Sequence, residues 1–335
     1  MRRDETLALF GACEAAREVA RAAAAQTGKS AGECEEAAHE AAKAQWNGWA
    51  AEMLTRRQAL EAAGVFKVKS SESWEPAMGE NAETQEWLEA AVTDFSFVRF
   101  ECVQVLCEAE GGARQGGPKR SRHTNPLRRR LADADERVVP VSATGPQVRF
   151  DGFWFPSDAL FESVDFCGDA CFRNTVISGL AKFPATDFEG EALFDGAAIS
   201  GDALFDSATF LASASFENTK LSGNAWFSNA VAAGDVSFQG ATISGSATFQ
   251  TVGFAGGAWF AGATLCGDAL FDGSKFAGTA SFLGVSFSGN ASFQKAEFFE
   301  YGAWFAKAAF LSTASFQEAK FKFPWIYIFI DYHNN

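Results

Sequence analysis

The segment of this chain that comes nearest to a chemical motif is AAAQTGKS at Ala23–Ser30, which satisfies a permissive phosphate-loop pattern. A working phosphate loop follows a strand and has several glycines, because its backbone N–H groups must approach the phosphates closely. Here an Ala-rich, helix-type stretch comes first, and Gly28 is the one glycine of the eight residues. We interpret the segment as a turn between helices and predict no nucleotide site.

Residues able to form a catalytic or metal site are scarce elsewhere in the sequence. Its 335 residues include three His and seven Cys, with no HExxH motif, no CxxC pair and no Ser-His-Asp arrangement. Those patterns are the usual sources of hydrolytic, metal and redox sites. We therefore expect a protein that is not an enzyme and has no catalytic, metal or cofactor-binding residues. The cysteines are expected to be structural thiols in a reducing cytoplasm.

Any functional side chains of this protein must be positioned by the sequence repeat that makes up much of the chain. From Phe150 to Phe321 a large apolar residue, usually Phe, recurs at steps that alternate five and six residues. Two kinds of eleven-residue unit alternate, one beginning ISGDALF at Ile199 and the other FEGEALF at Phe188. Residues about 22 positions apart should then stack, which gives each coil four short faces. The sequence predicts a mainly β fold, a quadrilateral β-helix of about eight coils preceded by an α-helical region.

Each face should direct the Phe and the small residue two places before it inward, because side chains alternate along a strand. The column Asp202, Asn224, Ser246, Asp268, Asn290 fits a hydrogen-bonded ladder along one corner, with a ligand or partner contact as the alternative. The predicted structural core includes Phe194, Phe205, Phe216, Phe227, Phe238, Phe249, Phe260, Phe271, Phe282 and Phe293.

The unit with Ala247 two residues before Phe249 resembles the repeat of the pentapeptide-repeat family. The resemblance covers roughly half of the chain and implies a right-handed quadrilateral β-helix of the kind found in bacterial members. This sequence departs from a strict five-residue pattern by one extra residue at every second corner. A further departure occurs at FFEYGAWF, Phe298–Phe305, where seven residues replace six, and we interpret it as a bulge.

The sequence is expected to divide into five parts. Residues 1–94 form an α-helical region with two helices within 5–63 and a third over 82–92, and the capping pair Ser30 and Glu33 begins the second helix. The helical hairpin could pack on itself, on the β-helix or on a second subunit. The remaining parts are first β-helix faces at 95–107, a basic insertion loop at 108–146, the β-helix at 147–323 and an apolar C-terminal cap or dimer contact at 324–335.

The net charge of −14 is unevenly distributed. Residues 111–145 contain eight Lys and Arg against three Asp and Glu, whereas the segments on both sides are acidic. Because this interval contains Gly and Pro and has no apolar periodicity, it is predicted to be a loop. It is either a plain solvated loop or a contact for an anionic partner. The candidate binding residues here are Lys119, Arg120, Arg122, Arg128, Arg129 and Arg130.

The C-terminal residues break the repeat at Pro324 and then become apolar. Since the last coil of a solenoid exposes backbone edges and apolar side chains, something must cover it. We expect a cap or a homodimer contact, which the family resemblance also implies, with an irregular terminus as the alternative. The residues concerned are Trp325, Ile326, Tyr327, Ile328, Phe329 and Ile330.

Three functions remain open at this stage. The first is a non-enzymatic scaffold that binds a protein partner of unknown identity. The resemblance implies a second, a DNA-mimicking inhibitor of a type II topoisomerase such as DNA gyrase, with Asp195, Asp206, Asp235 and Asp272 as outward candidates. The rod would carry about 0.24 negative charges per Å against roughly 0.6 for duplex DNA, and direct nucleic-acid binding by it is not expected. The third is peripheral membrane association through the tail, which is too short to span a bilayer. The N-terminus has no apolar run of the kind secretion requires, and we expect a cytoplasmic protein.

Overall fold

The computed structural model describes residues 3–69, 78–102, 137–141, 147–299 and 302–322. Three helices precede the solenoid: α1 (Arg3–Gln26), α2 (Ala31–Ala62) and α3 (Ala82–Ala91). The short strands Val68–Lys69 and Met78–Gly79 pair antiparallel between α2 and α3. Helix α2 begins with the predicted capping box, in which the Ser30 side chain accepts from the Glu33 N–H and the Glu33 side chain accepts from the Ser30 N–H.

Four parallel sheets form the sides of a solenoid, and we call them faces 1 to 4 in the order in which the chain visits them from Gln147 onward. Face 1 consists of Gln147–Arg149, Asp169–Cys171, Ala192–Leu193, Ala214–Ser215, Val236–Ser237, Ala258–Trp259, Ala280–Ser281 and Ala303–Trp304. Face 2 consists of Trp154–Phe155, Val176–Ile177, Ala198–Ile199, Lys220–Leu221, Thr242–Ile243, Thr264–Leu265, Ser286–Phe287 and Ala309–Phe310. Face 3 consists of Thr93–Asp94, Ala159–Leu160, Ala181–Lys182, Ala203–Leu204, Ala225–Trp226, Ala247–Thr248, Ala269–Leu270, Ala291–Ser292 and Ala314–Ser315. Face 4 consists of Arg137–Val141, Val98–Cys102, Asp165–Phe166, Asp187–Phe188, Thr209–Phe210, Val231–Ala232, Gly253–Phe254, Lys275–Phe276, Glu297–Phe298 and Lys320–Phe321.

The register between successive coils is 22 residues, as the repeat predicts; Ala225, for example, pairs with Ala247. Two steps differ, because Thr93 pairs with Ala159 at a separation of 66 residues and Glu297 pairs with Lys320 at a separation of 23 residues. The extra residue falls in the segment where seven residues replace six in the sequence. The predicted quadrilateral β-helix of about eight coils, with helices before it, is therefore confirmed.

The interior is filled by columns of phenylalanine rings. The Phe249 ring lies 5.1 Å from that of Phe227 and 4.9 Å from that of Phe271, both nearly parallel to it. Rings on neighbouring faces meet edge to face, as Phe249 does with Phe260 at 5.3 Å. All ten phenylalanines expected in the core are buried. Stacked and edge-to-face pairs of this kind stabilise a core beyond the burial of their surface.

Close approach of successive coils explains the glycine in the repeated SG pair between faces 2 and 3. A Cβ on Gly245 would lie 2.6 Å from the carbonyl carbon of Gly223, one coil earlier. No side chain fits at that distance, so glycine lets the backbone turn tightly there. The corner between faces 1 and 2 needs a left-handed backbone instead, which Asn218 and Gly240 adopt with φ values of 55° and 65°.

The first coil starts before the basic interval and resumes after it. Thr93–Asp94 pairs with Ala159–Leu160 on face 3, and Val98–Cys102 pairs with Asp165–Phe166 on face 4. The structure differs from the expected loop over 108–146 at one place, because Arg137–Val141 is a strand. It pairs in parallel with Val98–Cys102 and so adds an outermost strand to face 4. The apolar run in RVVPV is too short, and is interrupted by Pro140, to indicate a strand by itself.

The two helices of the α1–α2 hairpin pack on each other and on the first coil of the β-helix, so two of the three packing alternatives are present together. The Phe10 ring of α1 lies 5.5 Å from Phe150, and the Trp46 ring of α2 lies 5.2 Å from Phe155. These rings continue the apolar interior of the solenoid into the helices. A repeat rod needs such a cover, because its terminal coil would otherwise expose its apolar interior.

Polar side chains of α2 also satisfy backbone groups at the open edge of the first coil. Trp46 Nε1 donates to the Trp154 carbonyl at 2.9 Å, and Asn47 Nδ2 donates to the Gly152 carbonyl at 3.0 Å. In return the Trp154 N–H donates to Asn47 Oδ1 at 2.9 Å. An exposed sheet edge is a template for unwanted pairing, and these bonds occupy part of it. The hairpin is therefore the N-terminal cap of the solenoid.

Candidate functional site

The side chains able to meet a partner are those directly before and after each inward Phe, because both point away from the interior. The interior differs little from coil to coil, whereas these outward positions differ strongly between faces. Any binding site of the solenoid must therefore be built from outward columns, in which residues 22 positions apart lie next to each other.

The second half of face 1 has an outward surface with two tryptophans. Trp259 and Trp304 occupy the same outward column two coils apart, a separation of about 10 Å. Trp304 is 51% exposed. Their neighbours on this half-face are uncharged, and we define the tryptophan surface as Ser237, Gln239, Trp259, Ala261, Ser281, Leu283, Trp304 and Ala306.

A glycine shapes the tryptophan surface. A Cβ placed on Gly257 would lie 2.6 Å from Nε1 and 2.8 Å from Cε2 of Trp259. The indole therefore lies over the backbone of Gly257, in a space that a side chain at this position would fill. The same four residues, GAWF, recur at Gly302–Phe305 around the second tryptophan. The repeated GAWF motif marks the tryptophan surface in the sequence. The site residues predicted from the sequence did not include it.

The four candidate partner-binding acids are not brought together into one stripe. Asp195 lies at the corner between faces 1 and 2, Asp206 and Asp272 lie between faces 3 and 4, and Asp235 lies between faces 4 and 1. Asp206 and Asp272 share a column but are three coils apart. The structure thus distributes these carboxylates around the rod.

Backbone hydrogen bonds hold these carboxylates in place. Asp235 accepts from the Gly257 N–H at 2.7 Å and Asp272 accepts from the Gln294 N–H at 2.9 Å, each across one coil. Asp206 accepts from the Ser228 N–H at 3.1 Å, and its burial raises the pKa of its carboxyl group. Asp195 bonds instead to side chains, the Ser215 hydroxyl and Arg173 Nε. The structural work of these acids is to join successive coils.

The expected corner ladder between faces 2 and 3 is present. Asp202 Oδ1 accepts from the Asn224 N–H at 2.7 Å, and Asn224 Oδ1 accepts from the Ser246 N–H at 2.8 Å. Asp268 Oδ1 bonds to the Asn290 N–H in the same way at 2.8 Å. These bonds satisfy backbone donors at the corner, where no strand neighbour is available. The structural interpretation of this column is confirmed.

The interface between the cap and the first coil buries an ionisable cluster that sequence reasoning missed. Arg17 of α1 lies 3.3 Å from Glu14 and donates to the Arg149 carbonyl at 3.4 Å. His39 Nε2 donates to the Asp151 carbonyl at 2.9 Å, and burial followed by the charge of Arg149 lowers the pKa of its imidazole. Burial raises the pKa of the Glu14 carboxyl. No sequence signal joins these residues, because only the docking of the hairpin brings them together.

Two thiols lie in the same region. Burial raises the pKa of Cys13 to about 12 and that of Cys171 to about 12, so both remain protonated near neutral pH. Within the described ranges, no group of three or more His, Cys, Asp or Glu residues could hold a metal ion. None of the helices in that part of the chain is long and apolar enough to cross a bilayer.

The far end of the described solenoid is less covered than the near end. Phe310, Phe316 and Phe321 of the last coil are only half-buried, whereas the stacked rings beneath them, including Phe287 and Phe293, are buried. The apolar tail at 325–330 and the six basic candidates within 119–130 lie outside the described residues.

This architecture defines a class: a β-solenoid repeat protein with a helical cap at its N-terminal end and flat sides built from stacked outward columns. Its repeats match the family described as pentapeptide repeats (9 copies), over residues 183–231, 194–242, 216–264 and 271–320. The repeat region of the chain thus belongs to the pentapeptide-repeat family, as the Phe-rich repeats indicated. Comparison with curated proteins and with solved structures gives no match.

Proposed function

We propose that this protein is a non-enzymatic scaffold that binds a protein partner through the tryptophan surface. The observation that carries the proposal is the pair Trp259 and Trp304 on one flat, uncharged half-face, with Trp304 half-exposed although the rest of the molecule buries most of its large apolar side chains. Aromatic residues are enriched and charged residues depleted at the centres of protein interfaces. Tryptophan is also over-represented among the residues that contribute most of the binding energy.

The first half of the same face has a different character. Its outward positions include Arg149, Asp151, Arg173, Asp195 and Glu217. Charged side chains there would form the rim of a contact centred on the tryptophans, since rims are polar and solvent-accessible. The uncharged half extends over four coils, or about 19 Å, which suits a partner of modest footprint.

The experiment is affinity capture with the intact protein as bait, comparing wild type, the Trp259→Ala/Trp304→Ala double variant and a Trp226→Ala control. Trp226 occupies the equivalent outward position on face 3, so its removal tests the loss of an indole elsewhere on the rod. We expect a partner that wild type and the control retain and that the double variant loses at least tenfold. Equal capture by all three proteins, or turnover of a substrate by the purified protein, would overturn the proposal.

A second candidate, binding of DNA gyrase or another type II topoisomerase in place of DNA, has one supporting observation. Its candidate carboxylates are fixed by hydrogen bonds rather than free to rotate, as a rigid mimic requires. Against it stand the low charge density and the spread of the four acids over three corners. A supercoiling titration with purified protein distinguishes the two functions. Sub-micromolar inhibition that is lost in Asp235→Lys/Asp272→Lys would favour mimicry over the scaffold.

A homodimer through the half-covered last coil also remains a proposal. The half-buried rings of Phe310 and Phe316 support it, because an exposed terminal coil favours burial against another surface. A Phe316→Glu variant should then be monomeric at concentrations at which wild type is dimeric.

A further inference from the structure

His39 is a buried, titratable side chain at the contact between the helical cap and the first coil. It is 3% exposed, and its Nε2 donates to the Asp151 carbonyl at 2.9 Å. Its ring also lies nearly parallel to that of Phe153, with 6.0 Å between the ring centroids. One nitrogen and one ring face of His39 are therefore used to dock α2 on the solenoid.

The second nitrogen of the His39 ring has no place for a proton. When Nε2 has the proton of the neutral imidazole, Nδ1 has only a lone pair. Among the described residues, the buried Nδ1 has no hydrogen-bond partner. Protonation would make it a buried N–H donor without an acceptor, and such a donor destabilises the state that buries it.

The charges around His39 also oppose its protonation. Burial is the largest cause of the lowered pKa of its imidazole, and the charges of Arg149 and Arg17 lower it further. Asp151 raises this pKa, but its carboxylate accepts from Arg149 Nε at 3.0 Å and from the Arg173 N–H at 2.9 Å. The titratable or charged groups of the elements packed here are Cys13, Glu14, Arg17 and Arg21 of α1, Glu35, Glu36, Glu40 and Lys43 of α2, and Arg149, Asp151, Cys171 and Arg173 of the first two coils.

We propose that His39 makes the docking of the cap pH-sensitive: the α1–α2 hairpin is held on the first coil while the imidazole is neutral, and the contact weakens when the imidazole is protonated. The hairpin can open separately from the coils. Its hydrogen bonds to the first coil involve side chains, such as those of Trp46 and Asn47, whereas successive coils are joined by backbone hydrogen bonds. Opening would uncover apolar rings at the end of the solenoid, including Phe150 and Phe155.

The sign and the pH range of the effect follow from the imidazole. Its pKa is below 6.5 in the docked cap and about 6.5 in an open cap, so the open form binds a proton first as the pH falls. The ratio of open to docked cap should therefore rise by up to about tenfold per pH unit below 6.5, until the docked imidazole is itself protonated. Between pH 6.5 and 5.0 the largest possible rise is about 30-fold.

Glu14 acts in the opposite direction. Burial raises the pKa of its carboxyl group above 4.5, so the docked cap binds this proton first and a falling pH favours docking. Glu14 thus reduces the slope that His39 produces wherever the two pH ranges overlap. A Glu14→Gln variant removes this titration, and its pH dependence between 6.5 and 5.0 should be at least as steep as that of wild type.

The test is hydrogen exchange of the intact protein from pH 7.5 to 5.0, followed by mass spectrometry and corrected for the intrinsic exchange rate at each pH. Protection of the α1 amides should fall by about 5- to 30-fold between pH 6.5 and 5.0, because these amides exchange when the cap opens. Protection of the central strands Ala225–Trp226 and Ala247–Thr248 should change less than about threefold, since they lie far from the cap.

Two variants assign the effect to His39. His39→Gln can donate to the Asp151 carbonyl through its amide but does not titrate, so its α1 protection should not fall as the pH is lowered. His123→Gln/His333→Gln is the matched control, because it leaves His39 as the one histidine of the chain, and it should behave as wild type.

Labelling of Cys13 gives a second measurement that needs no variant. Cys13 of α1 is fully buried in the same contact, whereas Cys266 on face 2 is exposed. With methyl methanethiosulfonate as the reagent, the ratio of the Cys13 rate to the Cys266 rate should rise by about 5- to 30-fold from pH 6.5 to 5.0, because labelling of Cys13 requires the cap to open.

Three results would overturn the proposal. They are α1 protection that does not fall between pH 6.5 and 5.0, an equal fall in wild type and His39→Gln, and a parallel loss of protection in helices and coils, which would mean global unfolding. Circular dichroism at pH 7.5 shows whether each variant is folded. If His39→Gln does not fold, the wild-type exchange and the Cys13 ratio decide. Neither measurement involves Trp259 or Trp304, so this proposal and the scaffold function fail independently.

Discussion

Truncation of Phe249 to alanine tests whether stacked rings hold the solenoid together. Phe249 is fully buried in a central coil, with parallel rings 5.1 Å and 4.9 Å away in the coils on either side. The rings of Phe238 and Phe260 flank it edge to face at 5.2 Å and 5.3 Å. Four aromatic neighbours lose contact at once when this ring is removed.

The cavity should be costly because the coil cannot collapse around it. Hydrogen bonds to the coils on either side fix the backbone, as where the Phe249 N–H donates to the Leu270 carbonyl. We therefore expect Phe249→Ala to lower the free energy of unfolding by about 3–5 kcal/mol. Phe316→Ala should cost about half as much, since Phe316 is half-buried and, among the described residues, stacks on Phe293 alone.

Guanidinium unfolding followed by circular dichroism measures both variants, with Phe249→Leu as a control. Leucine is the inward residue at Leu221 and Leu265, so this control should cost about 1 kcal/mol or less. Hydrogen exchange should show whether a truncated coil opens locally, as repeat proteins can. Equal costs for Phe249→Ala and Phe316→Ala, or a cost below about 1 kcal/mol for Phe249→Ala, would refute the reasoning.

The remaining predictions concern polar and ionisable groups. Burial lowers the pKa of His39 below 6.5, so the unfolded chain binds a proton first as the pH falls. The free energy of unfolding should therefore decrease below about pH 6.5, and it should decrease less in His39→Gln. Parallel pH profiles of the two proteins would contradict this. Peptide mapping after maleimide treatment at pH 7.5 should find exposed Cys266 modified well before buried Cys13 and Cys171, and equal rates would be inconsistent with their raised pKa values. Asp202→Ala removes a ladder acceptor and should cost about 1–3 kcal/mol in chemical unfolding, whereas a neutral result would deny the ladder a stabilising role.

The coil architecture could be predicted because every coil repeats the same sequence pattern. A single apolar residue, such as Phe194, says little alone, but its recurrence with a small residue two places earlier specifies strand direction, face number and stacking partner together. The 23-residue step after Phe298 could be predicted for the same reason, as one extra residue in an otherwise constant spacing. The capping box at Ser30 was equally local, since its partner lies three residues away.

The features that the sequence could not supply depend on contacts between distant segments. His39 and Asp151 are 112 residues apart, and only the docking of α2 on the first coil brings them within hydrogen-bond distance. For Asp195, Asp206, Asp235 and Asp272, the sequence could not supply the corner of the solenoid on which each acid lies, because that requires the faces to be counted. The outward orientation of each acid follows from the spacing. The hydrogen bonds that hold all four acids to the next coil could be found only in the structure.

The constant register has a consequence for how such a rod can change its length. A deletion of 22 consecutive residues within the regular coils brings together the same column positions and leaves every face intact, only about 4.8 Å shorter. A deletion of ten residues would rotate everything that follows by almost half a turn and move the tryptophans to another side. The solenoid can therefore become longer or shorter only by whole coils if its interior is to stay the same. Duplication or loss of the gene segment that encodes one coil would change the distance between two surface sites and leave the interior unchanged.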